Sequence, residues 1–302
     1  IIGYQGFFYH FLDMRTGFRT WDSELSTIDT ALLEAGIMDC RMYFDTEDPL
    51  DIDVRTLADN ITNRVNWEFA RNFTNGIYMG WKPGTGFSGF GHWVGYNEAT
   101  ILYILALGSP THGVPETTYN TWTNGYDWLT YYGTTYVNFP PLFGHQYSHC
   151  WIDFRSIQDA YMRTKGITYF ENSRRATYAQ RSYCIANPFA RTGYGANQWG
   201  LTACDDPTGY RAHGAPPAQT DDGTIAPTAP AGSIAFAPEI AIPVLMNFYD
   251  SYQTQLWSTY GFKDAFNLGA LWWDTDYLGI DQGPIILMIE NYRRDGVWGR
   301  FM

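Results

Sequence analysis

Five aliphatic side chains, Ile101, Leu102, Ile104, Leu105 and Leu107, stand close together just before Gly108-Ser109-Pro110. A segment this apolar cannot remain at a surface, and Gly followed closely by Pro stops a helix. The stretch therefore predicts a helix buried among other elements, which must themselves be amphipathic. The chain supplies them. Ser26-Thr27-Ile28-Asp29 has capping-box spacing and opens a helix to about Phe44. Further helices are expected over 51–69, 116–132, 144–163, 168–187, 238–260 and 279–293. Phe7–Leu12 and Phe18–Trp21 read as a β-hairpin around Met14-Arg15-Thr16-Gly17, and 72–93 as a loop or second hairpin turning at Lys82-Pro83-Gly84. No strand–helix alternation points to a parallel sheet, and no tandem repeat is visible. The fold class is all-α in a single domain, 1–302. Its helical hairpins carry small β-hairpin insertions and form an open α–α array or part of an α/α toroid.

Residues 188–237 are rich in Gly, Pro, Ala, Thr and Asp and sit between strong helices. A loop of that length inside a compact domain is commonly functional. We expect it to lie over the end of the array that carries Glu98 and Asp281, with Trp199 and Asp222 turned toward a ligand.

The charge balance excludes some partners. With 19 basic and 31 acidic residues the formal charge is −12, which disfavours nucleic acid and anionic lipid. No apolar run approaches the roughly 20 residues of a membrane span. The 12 Trp, 23 Tyr and 19 Phe exceed what a core alone explains. Interleaved with Gly, Asn, Asp and His in loops, they suit a carbohydrate site, where rings stack on sugars and polar groups bind hydroxyls. Cys40, Cys150, Cys184 and Cys204 lack metal-like spacing and read as buried thiols, with room for one disulfide. We expect no cofactor and no metal.

Among the carboxylates, Glu98 and Asp281 stand at helix starts beside Gly and aromatic residues. Glu98 follows Gly86-Phe87-Ser88-Gly89-Phe90-Gly91-His92-Trp93 and lies among Trp93, Tyr96 and Asn97. A carboxyl against aromatic walls has its charged form disfavoured, which suits a general acid. Two carboxylates across a sugar-sized cleft are what glycoside hydrolysis requires. His145 and His149, spaced i and i+4 with Asp153 a turn further, have the spacing of metal ligands. They lack the Glu of the zinc-protease motif, however, and read as sugar contacts or packing.

Long segments resemble the glycoamylase-like family: G-F-F-Y-H-F-L-D at 6–13, S-E-L-S-T-I-D-T-A-L-L at 23–33, W-V-G-Y-N-E-A at 93–99, G-H-Q-Y-S-H-C-W-I-D-F-R at 144–155, D-D-G-T-I-A-P-T-A at 221–229 and D-Y-L-G-I-D-Q-G-P-I at 276–285. The resemblance implies an (α/α)6 toroid and the chemistry of the endo-β-1,2-glucanases of glycoside hydrolase family 144. A related domain occurs in cyclic β-1,2-glucan synthases, and the family first carried a glucoamylase label. Such a toroid has more helices than the sequence shows here. The chain thus resembles the C-terminal two-thirds of a member, with a separate N-terminal segment expected to complete it. The implied reading is an inverting hydrolase of β-1,2-glucan or its oligosaccharides, periplasmic or secreted. Glu98 would be the acid and Asp281 the base, with Asp222 and Glu24 as rival bases. Asp22, Glu24, Asp29, Trp93, Tyr96, His145, His149, Asp153, Arg155, Trp199 and Asp222 are candidates for sugar binding. Transglycosylation, α-glucan hydrolysis and glycan binding without catalysis are the alternatives.

Overall fold

Ser26 caps as its spacing predicts. Its hydroxyl accepts the Asp29 N–H at 3.2 Å and starts helix α1 (Thr27–Tyr43). The computed structural model describes residues 2–302. It divides them into two compact units: one runs to Tyr126 and takes in Phe301, the other runs from Asp127 to Arg300 and includes Met302.

In the first unit a short hairpin pairs β1 (Gly3–Tyr4) with β2 (Phe7–Phe8), and the expected outer pairing reduces to a single bridge between Leu12 and Arg19. Strand β3 (Leu25–Ser26) pairs with β4 (Gly80–Trp81), so the 72–93 segment is anchored at the N-terminus of α1. The helix expected over 51–69 is two: α2 (Pro49–Thr62) and α3 (Trp67–Arg71). Asn66 causes the break, because its side chain accepts the Phe69 N–H at 2.9 Å and caps a new helix. Helix α4 (Thr100–Gly108) is the buried apolar helix, with Ile101, Leu102 and Tyr103 fully enclosed. Helix α5 (Thr117–Thr123) brings Trp122 against Tyr103, Tyr119 and Tyr126, an aromatic core.

The helix expected to continue to residue 132 instead ends at Thr123. In the second unit Trp128–Tyr131 is strand β5, paired with β6 (Thr134–Val137). Tyr132 and Gly133 at the turn both have positive φ, 52° and 77°, as a tight two-residue hairpin loop requires. The helix expected over 144–163 is likewise absent. Two 3₁₀ turns (Leu142–His145 and Tyr147–Cys150) and α6 (Ala160–Lys165) take its place. Here Gln146 donates to Ala229 O at 2.7 Å and Ser233 Oγ at 2.8 Å, so its amide is committed to a distant loop.

Helix α7 (Tyr169–Ala186), capped by Thr168, organises this unit with a buried face that is largely polar. Asn172 accepts the Val137 N–H at 2.7 Å and donates to Val137 O at 3.2 Å; Gln180 does the same for Leu201, at 2.8 Å each way. Ser173 pairs with His149 and Thr177 with Ser233. The end of β6 at Val137 and the loop at Leu201 both present amides and carbonyls to α7, whose side chains satisfy them.

The 188–237 stretch is not structureless. It contains the hairpin β7 (Ala203–Asp206) with β8 (Gly209–Ala212) and the short helix α8 (Thr228–Gly232). Helix α9 (Pro238–Leu256) begins on a proline, and hairpins β9 (Trp257–Ser258) with β10 (Gly261–Phe262) and β11 (Phe266–Asn267) with β12 (Trp272–Trp273) follow. Helix α10 (Gly279–Arg294) packs on α8. A last helix absent from the sequence reading, α11 (Gly296–Phe301), starts where Asn291 Oδ1 accepts the Val297 and Trp298 N–H groups, each at 3.1 Å. All four cysteines are free thiols, Cys40 exposed and the others buried. No helix among the described residues is long and apolar enough to cross a membrane.

Candidate active site

The turn before α4 holds Glu98. Gly95 bends it at φ 84°, and a Cβ there would lie 2.9 Å from Gly125 O, so only glycine fits. Asn97 Oδ1 accepts the Ala99 N–H at 2.9 Å and fixes the backbone on either side of Glu98. Ala99 is the helix N-cap and no side chain caps α4, so Glu98 is not serving as a cap. The residue keeps some contact with the surface, yet its carboxyl is densely surrounded. Burial, against the opposing pull of its own N–H and reinforced by the nearby Asp29 charge, pushes Glu98 up to about 7.

Asp29 belongs to a network at the start of α1. Ser26 Oγ donates to Asp29 Oδ2 at 2.5 Å. His10 Nδ1 lies 2.8 Å from Glu24 Oε1 and its Nε2 lies 3.4 Å from Asp29 Oδ2, so one imidazole bridges two carboxylates. Burial raises the Glu24 carboxyl, but its own N–H, His10 and Lys82 outweigh burial and hold it below the usual range. Gly80 makes room: a Cβ there would come within 2.9 Å of Glu24 Cγ. Trp93 donates from Nε1 to Thr27 Oγ1 at 2.9 Å, and Tyr103 OH holds Trp93 O at 2.6 Å. Asp22, largely exposed, pairs with Arg19 at 2.6 Å and Lys82 at 3.5 Å.

The structure thus gathers Asp22, Glu24, Asp29, Trp93 and Glu98 in the first unit. It adds residues that the sequence reading passed over: His10 and the exposed rings of Trp21 and Phe11, 5.1 Å apart. Trp21 and Asp22 both adopt positive φ, 54° and 52°, a strain typical of functional loops. Tyr96 packs into the aromatic core against Tyr126 and Trp122.

The second unit corrects several expectations. Trp199 is fully buried and offers no ring face to a sugar. His145 and His149 are interior: burial pushes each down to about 3, in His149 with His145 adding and Asp153 opposing. They serve packing, not a ligand at the surface. Arg155 clips Asp153 at 2.7 Å to Asp295 at 2.9 Å and lies over the Trp298 ring. Asp222 is half-buried and lines a pocket of about 450 Å³ with Arg191, Thr192 and Asn267. Asp281, in the first turn of α10, is enclosed, and its carboxyl faces that of Asp264, with which it hydrogen-bonds. Burial first, then the neighbouring Asp264, pushes its carboxyl well above the usual range, and burial with nearby acids pushes Asp264 up to about 6.

Two clusters have metal-ligand spacing, Asp206–His213–Asp222 and Asp205–Asp264–Asp274. The first is already internally held, since Arg211 Nε lies 2.7 Å from Asp206 Oδ2 and Thr208 donates twice to Oδ1.

Comparison with known proteins finds relatives that are named as β-1,2-glucan hydrolases. An exo-β-1,2-glucooligosaccharide sophorohydrolase (non-reducing end) of Parabacteroides distasonis is 31% identical over 99% of this chain. The chain spans only 45% of that relative's length. An endo-β-1,2-glucanase of Chitinophaga pinensis, solved with sophorotriose and glucose, superposes with a TM-score of 0.91 at 33% identity, covering 99% of this chain and 74% of that one. A β-1,2-glucanase structure from P. distasonis gives 0.92 at 30% identity, with 99% and 47% covered. The family model described as "Putative glucoamylase" matches residues 91–302, well over half of the sequence, and the chain belongs to that glycoamylase family.

Proposed function

We propose that this chain carries the catalytic machinery of an inverting glycoside hydrolase acting on β-1,2-glucan or its oligosaccharides. The relatives' activities support the substrate class. The observation that carries the chemistry is Glu98, a carboxyl pushed up to about 7 with Asp29 of the acidic, His-bridged network as its charged neighbour. In its protonated form, which persists up to about pH 7, it donates its proton to the leaving glycosidic oxygen as the C1–O bond breaks. A second carboxylate takes a proton from the attacking water, which forms the new bond on the opposite face. Asp281 fills that role only through a relay, because its oxygens lie inside the protein. A second reading assigns the base to Glu24, which is held ionised and reaches the surface. The same reading takes the helices as part of an (α/α)6 toroid.

A panel of α- and β-linked glucans, followed by NMR of the first-formed anomer, tests this. The expected result is cleavage of β-1,2-linked chains with the α-anomer released first. Action on α-1,4 chains alone, redistribution of chain lengths without net hydrolysis, or binding without turnover would each overturn it. Asp281→Asn and Glu24→Gln separate the two bases: the true one loses rate even on substrates with an activated leaving group, which need no acid.

A further inference from the structure

We propose that Asp205, Asp264 and Asp274 form a binding site for a hard divalent cation, Ca²⁺ by preference, with the Asp281 carboxyl immediately behind it. One oxygen from each of the three lies within 4.8 Å of the others. Ca²⁺ binds oxygen at about 2.3–2.6 Å in a flexible sphere of six to eight ligands, which accommodates three carboxylates this close together. Mg²⁺ demands a near-ideal octahedron and gives up its waters reluctantly, so an irregular all-protein carboxylate set suits Ca²⁺ better. No thiol or imidazole belongs to the set, which excludes the donors that softer metals favour.

The second observation is how the oxygens are used. Asp264 Oδ2 accepts the Asp205 N–H at 2.8 Å, leaving Oδ1 buried. Asp274 Oδ1 accepts the Thr275 N–H at 2.7 Å and the Asp276 N–H at 3.2 Å, leaving Oδ2 buried and bare. Each carboxylate is oriented by backbone through one oxygen and presents the other, the arrangement of a monodentate ligand. Asp281, 1% exposed, sits against Asp264, and these two carboxyls hydrogen-bond to one another by sharing a proton, which leaves Asp274 Oδ2 as the buried oxygen with no donor.

The backbone holds the set firmly. Asp264 N–H donates to Asp276 O at 3.1 Å and Asp274 N–H to Ala265 O at 3.0 Å, extending the β11–β12 pairing and setting the two acids side by side. Asp205, half-buried at the end of β7, leaves an entrance for the ion and its waters. Among the described residues no lysine or arginine forms an ion pair with Asp205, Asp264, Asp274, Asp276 or Asp281. Buried acids without a counter-charge are costly, and a bound cation relieves that cost where a shared proton does not reach every carboxylate of the set.

Terbium, an oxygen-seeking Ca²⁺ mimic, is the probe, because Trp272 and Trp273 directly precede Asp274 and can sensitise its emission. The EDTA-stripped, desalted chain should give saturable Tb³⁺ emission on indole excitation. Ca²⁺ should displace it more effectively than Mg²⁺, and Ca²⁺ should raise the melting temperature. Asp274→Asn should weaken Ca²⁺ binding at least tenfold by calorimetry, whereas Asp250→Asn, an exposed acid elsewhere, should not. Asp205→Asn keeps the backbone N–H that orients Asp264 and serves as the second variant should Asp274→Asn fold poorly. Absence of saturable Ca²⁺ uptake by the native chain at millimolar concentration, or equal affinity in the folded variants, overturns the site. Neither outcome bears on whether glucan is cleaved.

Discussion

Glu98→Gln is expected to lower glucan turnover by about 10²–10⁴-fold while oligosaccharide binding stays within a few-fold. Glutamine keeps the shape and one hydrogen-bonding oxygen but has no proton to give. The loss should therefore fall on substrates whose leaving group is a sugar and largely spare one with a nitrophenyl or fluoride leaving group. The pH profile carries a separate signature. With its carboxyl pushed up to about 7, Glu98 is protonated below that value, so wild-type kcat/KM should fall as pH rises through about 7. In the variant that alkaline limb should vanish from the residual rate. Turnover near wild type, or a limb that persists unchanged, removes Glu98 from the acid role.

Glu34→Gln should stabilise the protein, and increasingly so as pH rises. Glu34 lies on the buried face of α1, its Oε2 meets no donor, and burial pushes it up to about 8 from 4.5. A carboxyl whose folded value is raised supports the native state only while both states are protonated. That support is lost as pH climbs from about 4.5 through about 8, because the unfolded chain ionises first. At about 1.36 kcal/mol per tenfold change, ionising Glu34 in place costs about 4–5 kcal/mol. Glutamine avoids that cost but leaves an amide short of partners, about 1–3 kcal/mol. The net gain should be about 2 kcal/mol above pH 8 and should reverse below pH 5, read from denaturant midpoints of the two proteins across pH. Parallel curves would show that Glu34 ionises freely.

Where local signals decide structure, the sequence was legible. Ser26, Thr168 and Pro238 start α1, α7 and α9 within a residue or two of the expected places, because a cap or an N1 proline acts on its own turn. The errors arise where distant groups decide. Residues 144–163 have helix-like spacing, but the Gln146 amide is spent on Ala229 and Ser233, more than eighty positions away, and the backbone winds into short 3₁₀ turns around it. Trp199 read as a sugar platform because its neighbours are loop formers, yet the fold encloses it. The site divides along the same line. Glu24, Asp29 and Glu98 were visible as carboxylates beside caps and aromatics. His10 was not, since its meaning comes from the two acids it bridges. The acids of 205, 264 and 274 belong to three separate segments, and only the β11–β12 pairing and the β7 strand end bring them together.

The polar face of α7 has a calorimetric consequence. Unfolding the second unit hydrates the amides of Asn172 and Gln180 and the hydroxyls of Ser173 and Thr177 along with its aromatic rings. Hydrating rings raises the heat capacity of the unfolded chain, and hydrating amides and hydroxyls lowers it, so the increment should fall below about 12–15 cal/mol/K per residue. A smaller increment means a broad, shallow dome of stability against temperature. This unit therefore loses little of its stability on cooling or moderate warming, a breadth that an all-aliphatic core of equal size would not give it.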